Sequence, residues 1–254
     1  MLWLYGKVAA ETGRRVVRSW PAVLALFAYG VILHFARVLT APAGIIGGFI
    51  MGFVLAACFS SYLEIVSQAL EGSRFKLDWE EFKRTFGARF WDVISVMFAV
   101  WILSFVTLPL MMGPHARALS AIIGFAMAFF FNAVPELIYQ GKSRSFALLI
   151  ESGRFVTEHP VAWLLPNVLV AALALWGIGA LDVRHPVEFL ILFGTLFSSP
   201  DTIVAALNAV PLWAKPIALI GFHAVMIFRG ALFRELSSGG GNARLRAFRA
   251  RMRG

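Results

Sequence analysis

The sequence predicts an all-α integral membrane protein, and three observations carry that reading. The 254 residues are 59% hydrophobic and only 15% charged, with mean hydropathy +0.77, against roughly 45–50% apolar and about 25% charged in a soluble domain. Several windows exceed the ~20 apolar residues with which a helix crosses about 30 Å of hydrocarbon. Finally, GFVLAACFSSYLEIVSQ (Gly52 to Gln68) and GFAMAFFFNAVPELIYQ (Gly124 to Gln140) superpose without a gap and share Glu64/Glu136 and Gln68/Gln140. Apolar matches come easily in such a chain; a matched Glu and Gln do not.

Six transmembrane helices are expected, at Pro21–Leu39, Gly44–Ser67, Phe90–Met112, Ala118–Tyr139, Val161–Leu181 and Pro211–Phe233. Trp20-Pro21 and His159-Pro160 announce two starts, because proline suits a first helical turn whose donors are unpaired anyway. The first 20 residues are interrupted by Lys7, Glu11, Arg14, Arg15 and Arg18, which is not the pattern of a signal peptide. Of the 23 Lys and Arg, all but Arg37, Arg117, Arg184 and Lys215 fall in or beside 1–19, 68–89, 140–159 and 234–254. The positive-inside bias therefore places both termini and the two long polar connections in the cytoplasm of a bacterial inner membrane.

Segments Trp3–Arg18, Leu77–Phe86 and Ser145–Glu158 mix apolar and charged residues at helical spacing, as interfacial helices do. Each carries an E-x-x-R: Glu11/Arg14, Glu81/Arg84 and Glu151/Arg154, spaced by 70 residues. Pairing within each motif is the plain account. The unit that emerges is an interfacial elbow helix followed by a transmembrane hairpin, used three times over about 1–70, 71–142 and 143–238 of one polytopic domain. A flexible basic tail, 239–254, follows. The third unit departs from the others: Ile227 and Ala231 stand where a Glu and a Gln are expected, and the extra segment 184–210 precedes its inbound span. Within it, Val187–Phe197 is too short to span, so a broken outer-face insertion is expected.

The start His159-Pro160 after ESGRFV, and hairpins with cytoplasmic amphipathic elbows, are the features in which the chain resembles bacterial six-span proteins of the type seen as the membrane domain of glycerophosphodiester phosphodiesterases, and their uncharacterised relatives. The resemblance implies architecture only. No stretch here has the composition of a soluble phosphodiesterase domain, so no catalytic residue carries over.

Repeat alignment puts Ser60, Asn132 and His223 at one level, where they would converge if the hairpins pack about a common axis. Pro135 frees the carbonyl of Phe131 beside Asn132. Polar groups at such depth are expensive and either bind something or join helices. Glu64 and Glu136 are expected at the inner boundary, to titrate, to gate a mouth or to receive basic side chains. Every fourth residue is small along Gly44, Gly48 and Gly52, and again at Gly124 and Ala128, as on helix-packing faces.

Catalytic motifs such as HExxH, GxSxG and GxxxxGK[ST] are absent from the sequence. Neither the five His nor the lone Cys58 has metal-ligand spacing, and no cofactor is expected. Arg244, Arg246, Arg249, Arg251 and Arg253 in the tail suit anionic lipid at the cytoplasmic face. Nucleic acid is not an expected partner. The leading functional reading is a non-enzymatic membrane scaffold or accessory subunit that packs against a partner membrane protein or a second copy. Phe189, Leu190, Leu192, Phe193, Leu196 and Phe197 of the insertion serve as candidate contacts. The alternative is a small-solute or lipid transporter or channel using the intramembrane polar residues.

Overall fold

The computed structural model describes residues 1–72, 79–107, 116–141, 147–177 and 215–238. Every regular element among them is helical. Four helical stretches, Pro21–Glu71, Phe82–Thr107, Ile122–Gln140 and Lys215–Ser237, are long and apolar enough to cross a bilayer, and Pro160–Val170 is a shorter apolar helix. Large apolar side chains such as Phe27, Phe35, Ile45, Phe49, Phe105 and Ile217 point outward. This is the make-up of a membrane-embedded helical protein, whose solvent on those faces is lipid.

The first helix, α1 (Leu2–Arg18), is amphipathic: Leu4, Tyr5, Val8, Thr12 and Val16 form its inner face, and Arg15 and Arg18 sit in the last turn, where cations oppose the helix dipole. Glu11 pairs with Arg15, not with Arg14, and Arg154 pairs with Glu158. In the first E-x-x-R motif the expected i,i+3 pairing therefore gives way to an i,i+4 pair, while the Glu81 side chain of the second lies outside the described residues. After Ser19 and Trp20, α2 (Pro21–Thr40) begins on a proline, and a 3₁₀ turn (Ala41–Ala43) leads into α3 (Gly44–Glu71). Two contacts show that α2 and α3 form a hairpin. Gly47 lies so close to the Thr40 carbonyl that no side chain fits there, and Tyr29 Oη meets Ser61 Oγ at 2.6 Å.

The second half of α3 is the central pillar. Ser60, Ser61, Tyr62, Leu63, Ile65, Val66 and Ser67 are all buried, whereas Ile45, Ile46, Phe49 and Phe53 in the first half are exposed. Gly72, at φ 77°, ends the helix in the left-handed conformation glycine favours. The short α4 (Trp79–Thr85) turns through Gly87, at φ 78°, into α5 (Phe90–Thr107).

The expected span Ala118–Tyr139 is divided into α6 (Ala116–Phe131) and α7 (Val134–Gln140). Pro135 explains the break: it has no N–H for the carbonyl of Phe131 and its ring would crowd that carbonyl. The freed Ala133 N–H donates to Ser152 Oγ of α8 (Ala147–Glu158) at 3.1 Å. The next helix, α9 (Pro160–Gly177), carries Pro166 internally. Pro166 leaves the Ala162 carbonyl without its helical donor, and the Tyr5 hydroxyl supplies one at 3.2 Å. Burial raises the Tyr5 pKa, which keeps the phenol a donor. The last described helix is α10 (Lys215–Ser237).

Helices α3, α7 and α10 all touch one another. Around them α4 packs on α3, α8 on α6 and α7, and α1 on α10; α5 packs on α3, α2 on α10, and α9 on α8 and α10. The core thus lies at the end of the bundle where α1, α4 and α8 gather.

Candidate functional site

The most polar part of this core is built around Arg229, two turns from the end of α10 and 3% exposed. Its Nε donates to Glu136 Oε1 at 2.7 Å and its Nη2 to Glu136 Oε2 at 2.9 Å, a bidentate fork on a fully buried carboxylate. Nη1 donates to Asn167 Oδ1 at 2.9 Å, and Nη2 also donates to the Asn132 carbonyl. Asn167 Nδ2 reaches Trp163 O at 2.6 Å and Asn132 Oδ1 at 3.3 Å. The Trp163 ring lies 5.1 Å from the guanidinium carbon, within cation–π range. One side chain thereby joins α10, α7, α9 and the α6–α7 break. Pro135 matters here, since the break aims the Asn132 carbonyl at the arginine.

Ser60, Asn132 and His223 are each fully buried, but they do not form one shared site. Ser60 Oγ accepts the Arg89 N–H at 3.0 Å, at the start of α5. Asn132 bonds to Asn167, while its own Nδ2 finds no partner among the described residues. His223 Nε2 meets Ser19 Oγ at 2.9 Å and its Nδ1 meets Tyr62 Oη at 3.1 Å. Ser19 already donates its proton to Arg15 O at 2.8 Å. His223 must then donate from Nε2 and accept at Nδ1, which fixes one neutral tautomer. The expected convergence gives way to three separate junctions, because each group reaches sideways to the start or body of a neighbouring helix.

Glu64 and Glu136 occupy matched sequence positions yet different surroundings. Glu64 is partly exposed and pairs with Arg89 at 3.1 Å, whereas Glu136 is closed off behind Arg229. A cavity of about 410 Å³ lies beside Glu64, lined also by Gln68, Arg84, Thr85, Ala88, Arg89, Asp92 and Gly141. A second, apolar groove of about 730 Å³ runs between α5, α6 and α8. No group of three or more His, Cys, Asp or Glu among the described residues could hold a metal ion.

The glycines the chain packs on are not those of the every-fourth-residue row. Among the described residues a Cβ on Gly44, Gly48 or Gly52 would meet nothing within 4 Å, and Gly44 is needed for its backbone, at φ 53°. Close approaches occur instead at Gly47, at Gly153, where a Cβ would sit 2.6 Å from the Phe130 ring, and at Gly230, which lies against Leu70 and Tyr139. The row fails as an internal packing face because α3 rolls Gly47, one residue off it, toward α2. Gly124 is half-buried and Ala128 lies within α6. The insertion residues Phe189, Leu190, Leu192, Phe193, Leu196 and Phe197 and the tail arginines Arg244, Arg246, Arg249, Arg251 and Arg253 lie outside the described residues.

Sequence reasoning missed Arg229, Asn167, Trp163 and Ser152. The signal for Arg229 was present: an arginine inside an apolar span, two residues beyond the Ile227 that replaces the expected glutamate, requires a buried anion. No family model, curated protein or solved structure matches the chain.

Proposed function

We propose that the chain is a non-enzymatic integral membrane scaffold or accessory subunit, with six spans in three elbow-plus-hairpin units, that packs against a partner membrane protein along the first half of α3. The observation that carries it is the open glycine row. Gly48 and Gly52 sit in a helix interior, where glycine costs roughly 0.8–1.0 kcal/mol relative to alanine, and among the described residues neither a turn nor a close contact calls for them. Spaced by four, they let another helix backbone approach closely. The buried polar groups support the same reading: Glu136, Asn132 and His223 are engaged with neighbouring helices, which suits architecture better than transport. For the transport alternative, Glu64 lines the cavity of about 410 Å³.

The threefold reading draws support from the mutual contacts of α3, α7 and α10 and from the way each elbow helix rests on the preceding inbound helix, with α1 closing on α10. In this reading the elbows and both termini lie on the cytoplasmic side of a bacterial inner membrane, and the arginine tail rests on anionic lipid.

A photo-crosslinking residue placed at position 48 in native membranes tests the docking face. The expected result is one protein adduct of fixed mass, with lipid adducts alone when the same residue replaces the outward-facing Phe27. Lipid adducts alone at both positions would overturn the reading.

A further inference from the structure

The corner where α1 turns into α2 presents two cations to the outside. Arg14, Arg15 and Arg18 share the last turns of α1, and packing sorts them. Arg15 turns inward, to Glu11 and to the Leu70 carbonyl near the end of α3. Arg14 and Arg18, four residues apart and so neighbours on one face, are exposed and make no ion pair or hydrogen bond among the described residues. The corner itself is held firmly. Only Ser19 and Trp20 separate the two helices, Ala22 N donates to Ser19 O at 2.9 Å, and Ser19 Oγ meets His223 Nε2 at 2.9 Å.

The outer side of α1 is not one that suits water. Its inner side buries Val8 and carries Leu4, Tyr5 and Val16, yet Leu2, Trp3, Ala9, Ala10 and Val17 stand exposed on the other. A helix apolar on both sides calls for apolar surroundings on both. The exposed row continues along α2 as Trp20, Leu24, Phe27 and Val31, spaced by four, three and four. At ~1.5 Å per residue this row covers about 16 Å, half of the roughly 30 Å hydrocarbon layer.

Two cations at the head of an apolar strip one leaflet long match an amphiphile with an anionic head and an acyl chain. A zwitterionic head would bring an ammonium to a face whose nearest acid in α1, Glu11, is engaged by Arg15. A second copy docked by twofold symmetry would set this cationic patch against itself. We propose that the α1–α2 corner binds an anionic phospholipid, with Arg14 and Arg18 on the headgroup phosphate, Trp20 at the headgroup boundary, and Leu24, Phe27 and Val31 along an acyl chain. The site is independent of the docking face on α3.

The test is native mass spectrometry of the full-length protein in detergent, titrated with short-chain phosphatidylglycerol and short-chain phosphatidylcholine. Phosphatidylglycerol should bind at least about tenfold more tightly, as two basic residues beside a headgroup provide. Arg14→Gln combined with Arg18→Gln should bring the ratio close to one, and the corresponding pair of lysine substitutions should keep most of it. Arg154→Gln removes an exposed arginine from α8 and should leave the preference intact. Melting temperatures should match the parent throughout, since these side chains are exposed. Glycerol phosphate, a head without a chain, should not displace the lipid at tenfold excess. Equal affinity for the two lipids, a preference that survives the loss of both arginines, one that Arg154→Gln abolishes as well, or displacement by glycerol phosphate overturns the proposal.

Discussion

The Arg229–Glu136 fork lends itself to a quantitative test by a double-mutant cycle. Glu136→Leu leaves a guanidinium that is 4% exposed facing the Asn167 Oδ1 and the Asn132 carbonyl without its carboxylate. Arg229→Met leaves a fully buried carboxylate. Breaking a buried pair from one side costs about 3–5 kcal/mol, because the remaining charge is uncompensated. The double variant removes both charges and loses the donors to Asn167 and Asn132, a residual of about 1–3 kcal/mol. It should therefore be more stable than either single variant. Reversible unfolding by sodium dodecyl sulfate in mixed micelles, followed by tryptophan fluorescence, reads this directly, since Trp163 lies 5.1 Å from the guanidinium carbon. Single variants within about 1 kcal/mol of the parent, or a double variant as unstable as the sum of the singles, would refute the idea that this pair locks α7 to α10.

Other positions give sharper contrasts between neighbours. Gly47→Ala should destabilise the same unfolding transition by about 1–3 kcal/mol, because the methyl group meets the Thr40 backbone, while Gly48→Ala should be neutral or stabilising by up to about 1 kcal/mol in the isolated chain. His223→Phe keeps the ring but deprives Ser19 of a donor and Tyr62 of an acceptor, at a cost of about 1–3 kcal/mol, and Ser19→Ala in that background should add little. The Lys7–Glu235 pair is partly exposed, with side-chain exposures of 37% and 23%. Lys7→Ala should accordingly cost less than about 1 kcal/mol and become silent at high salt.

Several features could be read from residue order alone. The helix starts at Pro21 and Pro160, the elbow helices near Trp3–Arg18 and Ser145–Glu158, and the disturbance at Pro135 all follow from local chemistry. Which face of α3 turns inward does not. Gly47 and Gly48 are equally small, and only the contact between Thr40 and Gly47 chooses between them. The polar groups were visible as individuals, but their partners are distant in sequence: Ser19 to His223, Glu136 to Arg229, Tyr5 to Ala162. Such pairings are decided by the roll of whole helices about their axes. Arg229 counts among the positive charges near the last connection, yet its place inside an apolar span calls for a buried acid. The matched Glu64 and Glu136 show the limit of repeat logic: alike in sequence, they answer to different arginines, at the start of α5 and in α10.

The most direct test of the accessory-subunit proposal is the mass of the particle released from native membranes in mild detergent, for the unaltered chain and for Gly48→Leu. A stoichiometric complex with one membrane partner, lost in Gly48→Leu while the melting temperature of the chain is unchanged, is the expected result. A partner-free monomer from both, or a complex that Gly48→Leu leaves intact, would contradict it.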